Sequence, residues 1–166
     1  VMAARMIQER FSELTARAPA RSEPDLGKVR HFGIKPFFHF EEETGDASVS
    51  VEVLEMNEEK ADSAELRKWL LKKEMAEDIV QSRLDAIVRR PDAPFTSASI
   101  ASNIFLKRFF YAEIYASGSG DNWEKSLGAI ERELRKALLF GFTSMELERV
   151  KKEWLNELKI AEDKAS

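Results

Sequence analysis

The chain contains no cysteine. A disulfide framework, a thiolate metal site and a cysteine nucleophile are therefore all excluded. The compartment stays open, because a cysteine-free domain is stable in oxidising and reducing surroundings alike. Histidine is nearly as scarce: the two present, His31 and His39, have no third ligand at a matched spacing and no helical His-x-x-x-His pair with an intervening glutamate, so no metal site is expected in this stretch. No run approaches the roughly 18 apolar residues that a membrane span needs, and the N-terminus lacks the order of a signal peptide. Positive charge never concentrates beyond Lys107-Arg108 or Lys151-Lys152, and the net charge is −4, which argues against a nucleic-acid surface.

At 166 residues, with 43% hydrophobic and 34% charged side chains, the chain suits one domain able to bury a core unaided. It opens on Val1, already in a helical pattern, which reads as a piece of a longer multidomain protein.

Residues 62–95 organise the rest. Asp62 and Glu65 have the form of a capping box, with Ala61 and Leu66 placed as its staple, and nothing interrupts the helix until Pro91. At 100° per residue, Leu66, Trp69, Leu70, Ala76, Val80, Leu84, Ile87 and Val88 form one stripe, while Leu71, Met75 and Ile79 line up nearly opposite. A helix with two apolar faces is expected to be an inner element. Pro91 and Pro94 then make a stiff exit from Arg89 to Phe95.

Before this helix, Ala3, Ile7, Phe11 and Leu14 predict an amphipathic helix, and residues 15–30, with Pro19, Pro24 and Gly27, read as a surface connector. Ile34, Pro36, Phe38 and Phe40 alternate with Lys35, Phe37, His39 and Glu41, and residues 48–56 alternate around Val49, Val51 and Val53. Together these predict two adjacent antiparallel strands. After the exit, residues 97–107 and 109–117 predict two more strands, and Ser117-Gly118-Ser119-Gly120 reads as a turn.

Asp121 with Glu124 reads as a second capping box. It opens a helix with Trp123, Leu127, Ile130, Leu134 and Leu138 on one stripe, ended by Gly141. Thr143 with Glu146 is a third capping box, stapled by Phe142 and Leu147, and the last helix is expected to bury Leu147, Val150, Trp154, Leu158 and Ala161. The expected fold is α+β: an antiparallel sheet of about four or more strands with helices packed on one face.

Chemistry is thin in this inventory. Ser117 to Gly120 precede a helix but lack a phosphate-loop signature. Ser97, Ser99 and Ser102 have no histidine suitably placed to activate them, so no catalytic residue is expected.

Three stretches carry a resemblance. Gln81-Ser82-Arg83-Leu84-Asp85-Ala86-Ile87-Val88-Arg89-Arg90-Pro91-Asp92-Ala93-Pro94-Phe95 is similar to the segment that closes the long helix in non-catalytic domains of the pitrilysin, or insulinase, family of zinc metallopeptidases. Its Pro-Asp-x-Pro-Phe form resembles a branch of large bacterial proteins in that family. Tyr111 to Trp123 resembles the following strand and turn, and Phe140-Gly141-Phe142-Thr143-Ser144-Met145-Glu146-Leu147-Glu148-Arg149-Val150-Lys151 resembles a Gly-x-Thr-x-x-Glu-Leu-x-x-x-Lys helix start.

The resemblance implies a pitrilysin-like domain, in order the second, that helps sibling domains enclose an extended peptide; the compartment, bacterial periplasm or cytoplasm, stays open. Zinc would belong to the catalytic domain of the parent, since the inverted His-x-x-Glu-His motif is absent here. It also implies substrate binding by Arg89. Phe95 falls where the family's backbone-holding tyrosine would stand, without the hydroxyl. Two rival readings stand beside it: a structural or protein-interaction module of a catalytically inactive relative, and an unrelated α+β domain that binds a protein partner.

Overall fold

The computed structural model describes residues 2–15, 18–22, 24–41, 43–58 and 60–165. Seven main elements follow in order: α1 (Met2–Phe11), β1 (Asp46–Met56), α2 (Ala64–Val88), β2 (Ser97–Phe105), β3 (Phe109–Ser119), α3 (Trp123–Phe140) and α4 (Ser144–Ala165). A single 3-10 turn, Gly120–Asn122, joins β3 to α3. The fold is α+β, as the periodicities predict.

The described strands form one antiparallel sheet of three, in the order β1-β3-β2. In this register Val49 and Ala98 both face Ala116, and Val51 and Ile100 both face Ile114, so these six side chains share one face. Against that face pack Val80, Leu84 and Ile87 of α2 and Ala129 and Ile130 of α3. α4 packs on α2, and the Trp154 indole donates to Asp78 at 2.6 Å. α2 thus lies between the sheet and α4. Its second apolar line is covered where α4 reaches it: Ile79 is buried and Met75 half-buried, whereas Leu71 stays exposed.

Several local expectations are corrected. No strand forms over residues 34–41, and Phe37, Phe38 and Phe40 are exposed, so the sheet has three described strands rather than four. Alternation alone cannot make a strand; the backbone needs a partner edge, and here none is engaged. The helix cap on α2 is Ser63, whose hydroxyl accepts from the Leu66 N–H at 3.1 Å, because Asp62 is drawn into a bidentate pair with Arg67. Asn122, not Asp121, occupies the cap position of α3, and no side chain caps it. The apolar stripes of α3 and α4 overrun the core: Trp123, Leu138 and Leu158 are exposed, and Val150 is the only fully buried residue of α4.

The Ser-Gly-Ser-Gly stretch is also not a turn up to Ser119. Gly118 is buried inside β3, opposite Ala47 of β1. A Cβ at that position would lie 2.9 Å from the Phe95 Cα and 3.3 Å from both Pro94 O and Thr96 N. All three neighbours are backbone and cannot swing aside, so this glycine is what lets the exit from α2 lie flat on the sheet. Gly118→Ala is expected to destabilise the fold by about 1–3 kcal/mol, read as a lower urea midpoint; an unchanged midpoint would show that the exit yields freely.

Candidate functional site

The stretch from Arg89 to Phe95 is held by hydrogen bonds at several of its backbone groups and at Thr96 just beyond it. The Arg89 N–H donates to Asp85 O at 3.2 Å, Arg90 N–H to Ile87 O at 2.9 Å and Ala93 N–H to Arg90 O at 3.2 Å. Further along, the buried Ser126 hydroxyl of α3 donates to Pro94 O at 2.8 Å, and the Thr96 N–H donates to Ser117 O at 2.8 Å. Two prolines and these bonds make the elbow a rigid platform on which Arg89 and Arg90 are exposed. No carboxylate pairs with the Arg89 side chain among the described residues.

Phe95 points the other way. It is 2% exposed and belongs to the core cluster with Leu84, Ile87 and Ile114. Its ring therefore anchors the elbow, and a peptide lying on the surface would not reach it. Of the two residues that the resemblance marks for substrate, only Arg89 is accessible.

A second feature ties the elbow's helix to the C-terminal pair. The Arg83 guanidinium donates from Nε to Glu146 Oε1 at 2.7 Å and from Nη2 to Glu146 Oε2 at 3.0 Å, and also from Nη2 to Gly141 O at 3.1 Å. The Phe142 ring lies under it, with the guanidinium carbon 5.3 Å from the ring centre. Glu146 also completes the capping box, accepting from the Thr143 N–H at 2.8 Å. Gly141, at φ 68°, makes the left-handed step that brings its carbonyl within reach. The Arg83 bond, reinforced by Thr143, holds the Glu146 carboxyl down at about 2. Sequence reading found the capping box but not its arginine, which sits 63 residues earlier.

A third cluster lies between α2 and β2. Lys73 Nζ is 3.2 Å from Glu77 and donates to the Ser102 hydroxyl at 2.7 Å and to Ser102 O at 3.3 Å; Ser102 in turn donates to Glu77. A cleft of about 250 Å³ opens beside it, walled by Trp69, Leu70, Ile104 and Phe110. A serine beside a lysine is a nucleophile only when the amine is free to take the proton. Here the ammonium is already paired with Glu77 and acts as a donor, so the trio fastens α2 to β2.

Gln81 completes that fastening. Its Nε2 donates to Ala98 O at 3.0 Å and to Asp85 Oδ1 at 2.8 Å, while its Oε1 accepts from the Ile100 N–H at 3.1 Å. One side-chain amide thus takes the place of a neighbouring strand on the outer edge of β2. Nothing local signals this role; a glutamine next to the apolar stripe is the only hint.

The histidines do not converge. His39 lies 3.4 Å from Glu41 in an exposed segment, and no group of three or more metal-ligating residues occurs among the described residues. On the uncovered face of the sheet, partial burial pushes the Tyr111 phenol up to about 12, with Glu113 and Glu52 adding to the shift. Among the described helices none is long and apolar enough to cross a membrane. The chain matches no profile of a known family, no curated protein and no solved structure.

The depressed carboxyl of Glu146 gives a pH signature. Its stabilising contribution is complete above the usual carboxylate value near 4.5 and is lost as pH falls towards about 2. Glu146→Gln should therefore lower stability at pH 7 by about 1–3 kcal/mol, and the gap from the parent chain should close between pH 4.5 and 2. Urea midpoints for both proteins across that range check it; a gap independent of pH would assign the loss to packing.

Proposed function

We propose that this chain is a non-catalytic, substrate-enclosing domain of a zinc metallopeptidase of the pitrilysin, or insulinase, kind, second in order in its parent, with a sheet of four or more strands when complete. Zinc and the hydrolytic groups would sit in a sibling domain, and the substrate class would be extended peptides. The observation that carries this reading is the elbow. It presents Arg89, unpaired by any carboxylate among the described residues, on a platform anchored underneath by Phe95. A guanidinium held this way suits a peptide carbonyl or carboxylate, to which it can donate two parallel bonds. The α+β architecture with helices on one sheet face is compatible with such a domain.

One sheet edge adds a second means of holding a peptide. The edge of β2 is occupied by Gln81 and Lys73, whereas no hydrogen bond among the described residues reaches the outward backbone of β1. Main-chain pairing there would favour extended chains over particular sequences.

The rival reading, a structural or protein-interaction module of an inactive relative, draws on a different surface. Leu138, Leu139 and Phe140 at the end of α3 and Met145 at the start of α4 are 67–82% exposed, an apolar corner suited to a neighbouring domain. The two readings part on one experiment. In the full-length parent, Arg89→Ala is expected to lower kcat/KM on a peptide substrate by about ten- to a hundred-fold, the worth of one charge-assisted hydrogen bond, with the melting temperature unchanged. Unaltered kinetics would leave Arg89 as a charge complementing the end of α2. A parent without zinc-dependent hydrolysis would favour the module.

A further inference from the structure

Residues 30–41 form a strap that is neither helix nor strand, bent at Gly33 (φ 71°), and leads from one end of β1 to the other. At one end, the Val29 N–H donates to Met56 Sδ at 3.4 Å, and Arg108 Nη2 donates to Gly27 O at 3.4 Å. At the other, the Thr44 N–H donates to Glu41 O at 3.2 Å, just before β1 opens at Asp46. The strap therefore runs antiparallel to β1. Its reach fits: fully extended at about 3.3 Å per residue, the path from Val29 to Glu41 would cover about 40 Å, against about 33 Å for β1.

We propose that this strap closes onto the free edge of β1 as a fourth, antiparallel strand. Which backbone groups that edge offers follows from the ladder. Gln81 and Lys73 bond to Ala98, Ile100 and Ser102, so the even-numbered residues of β2 turn their backbone groups away from β3. In an antiparallel sheet these directions alternate, and through the observed registers the groups of Ser48, Ser50, Glu52 and Leu54 face outward from β1. The Asn57 N–H, donating to Arg108 O at 2.6 Å just past β1, has the inward direction this parity requires of odd positions.

Setting Glu41 opposite Asp46, across a four-residue loop, puts each strap residue to use. Phe40, Phe38 and Ile34 fall opposite Ala47, Val49 and Val53, on the face that carries the core. Ile34 is now 97% exposed, and Val53, at 44%, lies at the uncovered margin of that face. Pro36 falls opposite Val51, a position whose own N–H would point away from β1, so the missing donor costs no bond. Lys35 falls opposite Glu52. That carboxylate faces Glu113 directly across β1 and β3, and no cation pairs with either among the described residues. A lysine there relieves a like-charge pair. A register shifted by one residue would lose all three matches.

Closure would fill the edge that an extended peptide needs, so the strap would act as a competitor for it. That consequence rests on the reading above; the strand pairing itself does not.

Because the chain has no cysteine of its own, an engineered pair reports the register cleanly. Lys35→Cys with Glu52→Cys should form an intramolecular disulfide at least ten-fold faster than Ile34→Cys with Glu52→Cys, whose side chains would lie on opposite faces. Phe38→Asp, at a site 81% exposed in the open strap, should bring the first rate down to the second. Equal rates for the two pairs, no linkage in either, or linkage only between molecules would overturn the closure. The assay uses no peptide, so its result is independent of the outcome at Arg89.

Discussion

The Gln81 side chain decides which side of this sheet is finished. By accepting from Ile100 and donating to Ala98, it supplies the hydrogen bonds that another strand would make, and it seats α2 along the edge of β2. Lys73 repeats the device two turns earlier at Ser102. Because α2 is fixed there, its apolar stripe meets Ile100 and Ile114, and its far face is left for α4. The same placement delivers the chain into the elbow, where Phe95 enters the core and Gly118 makes room for the backbone that carries it.

The asymmetry that results supports the functional reading, together with the elbow. One edge is closed by side chains of α2. The other, along β1, has its outward backbone unengaged among the described residues, and the aromatic segment 30–41 joins its two ends. The elbow offers a guanidinium on rigid support, whereas the titratable clusters elsewhere are internally satisfied: Glu146 by Arg83 and Thr143, and Lys73 by Glu77 and Ser102. Groups already paired in this way hold the fold together and are poorly placed to act on a substrate. Under the proposed function, what the domain would offer a peptide is geometry and hydrogen bonds, with the reacting groups in a sibling domain.

The parts of this arrangement legible in the sequence are those set by local chemistry. The helical period of residues 64–88, the alternation of the three strands, Gly141 and the Thr143–Glu146 capping box depend on neighbours a few residues away. Long-range matters could not be read. Ser-Gly-Ser-Gly has turn composition, yet Gly118 serves a backbone 23 residues earlier in sequence. Asp62 has the right form for a cap, but Arg67 competes for it and Ser63 takes its place. Phe95 looked like a residue facing a peptide because a motif says nothing of which way a ring turns. Alternation in residues 34–41 was visible, but whether it becomes a strand depends on the edge of β1, which is set by pairing with the sequence-distant β3.

The closed edge is the claim on which the others depend, and amide hydrogen exchange resolved to single residues tests it most directly. If Gln81 seals β2, the Ile100 N–H exchanges as slowly as amides inside the β1–β3 ladder, and Gln81→Ala releases it selectively. If Ile100 exchanges as fast as an unpaired edge amide in the parent chain, α2 does not close that edge and the distinction between the two sides of the sheet is lost.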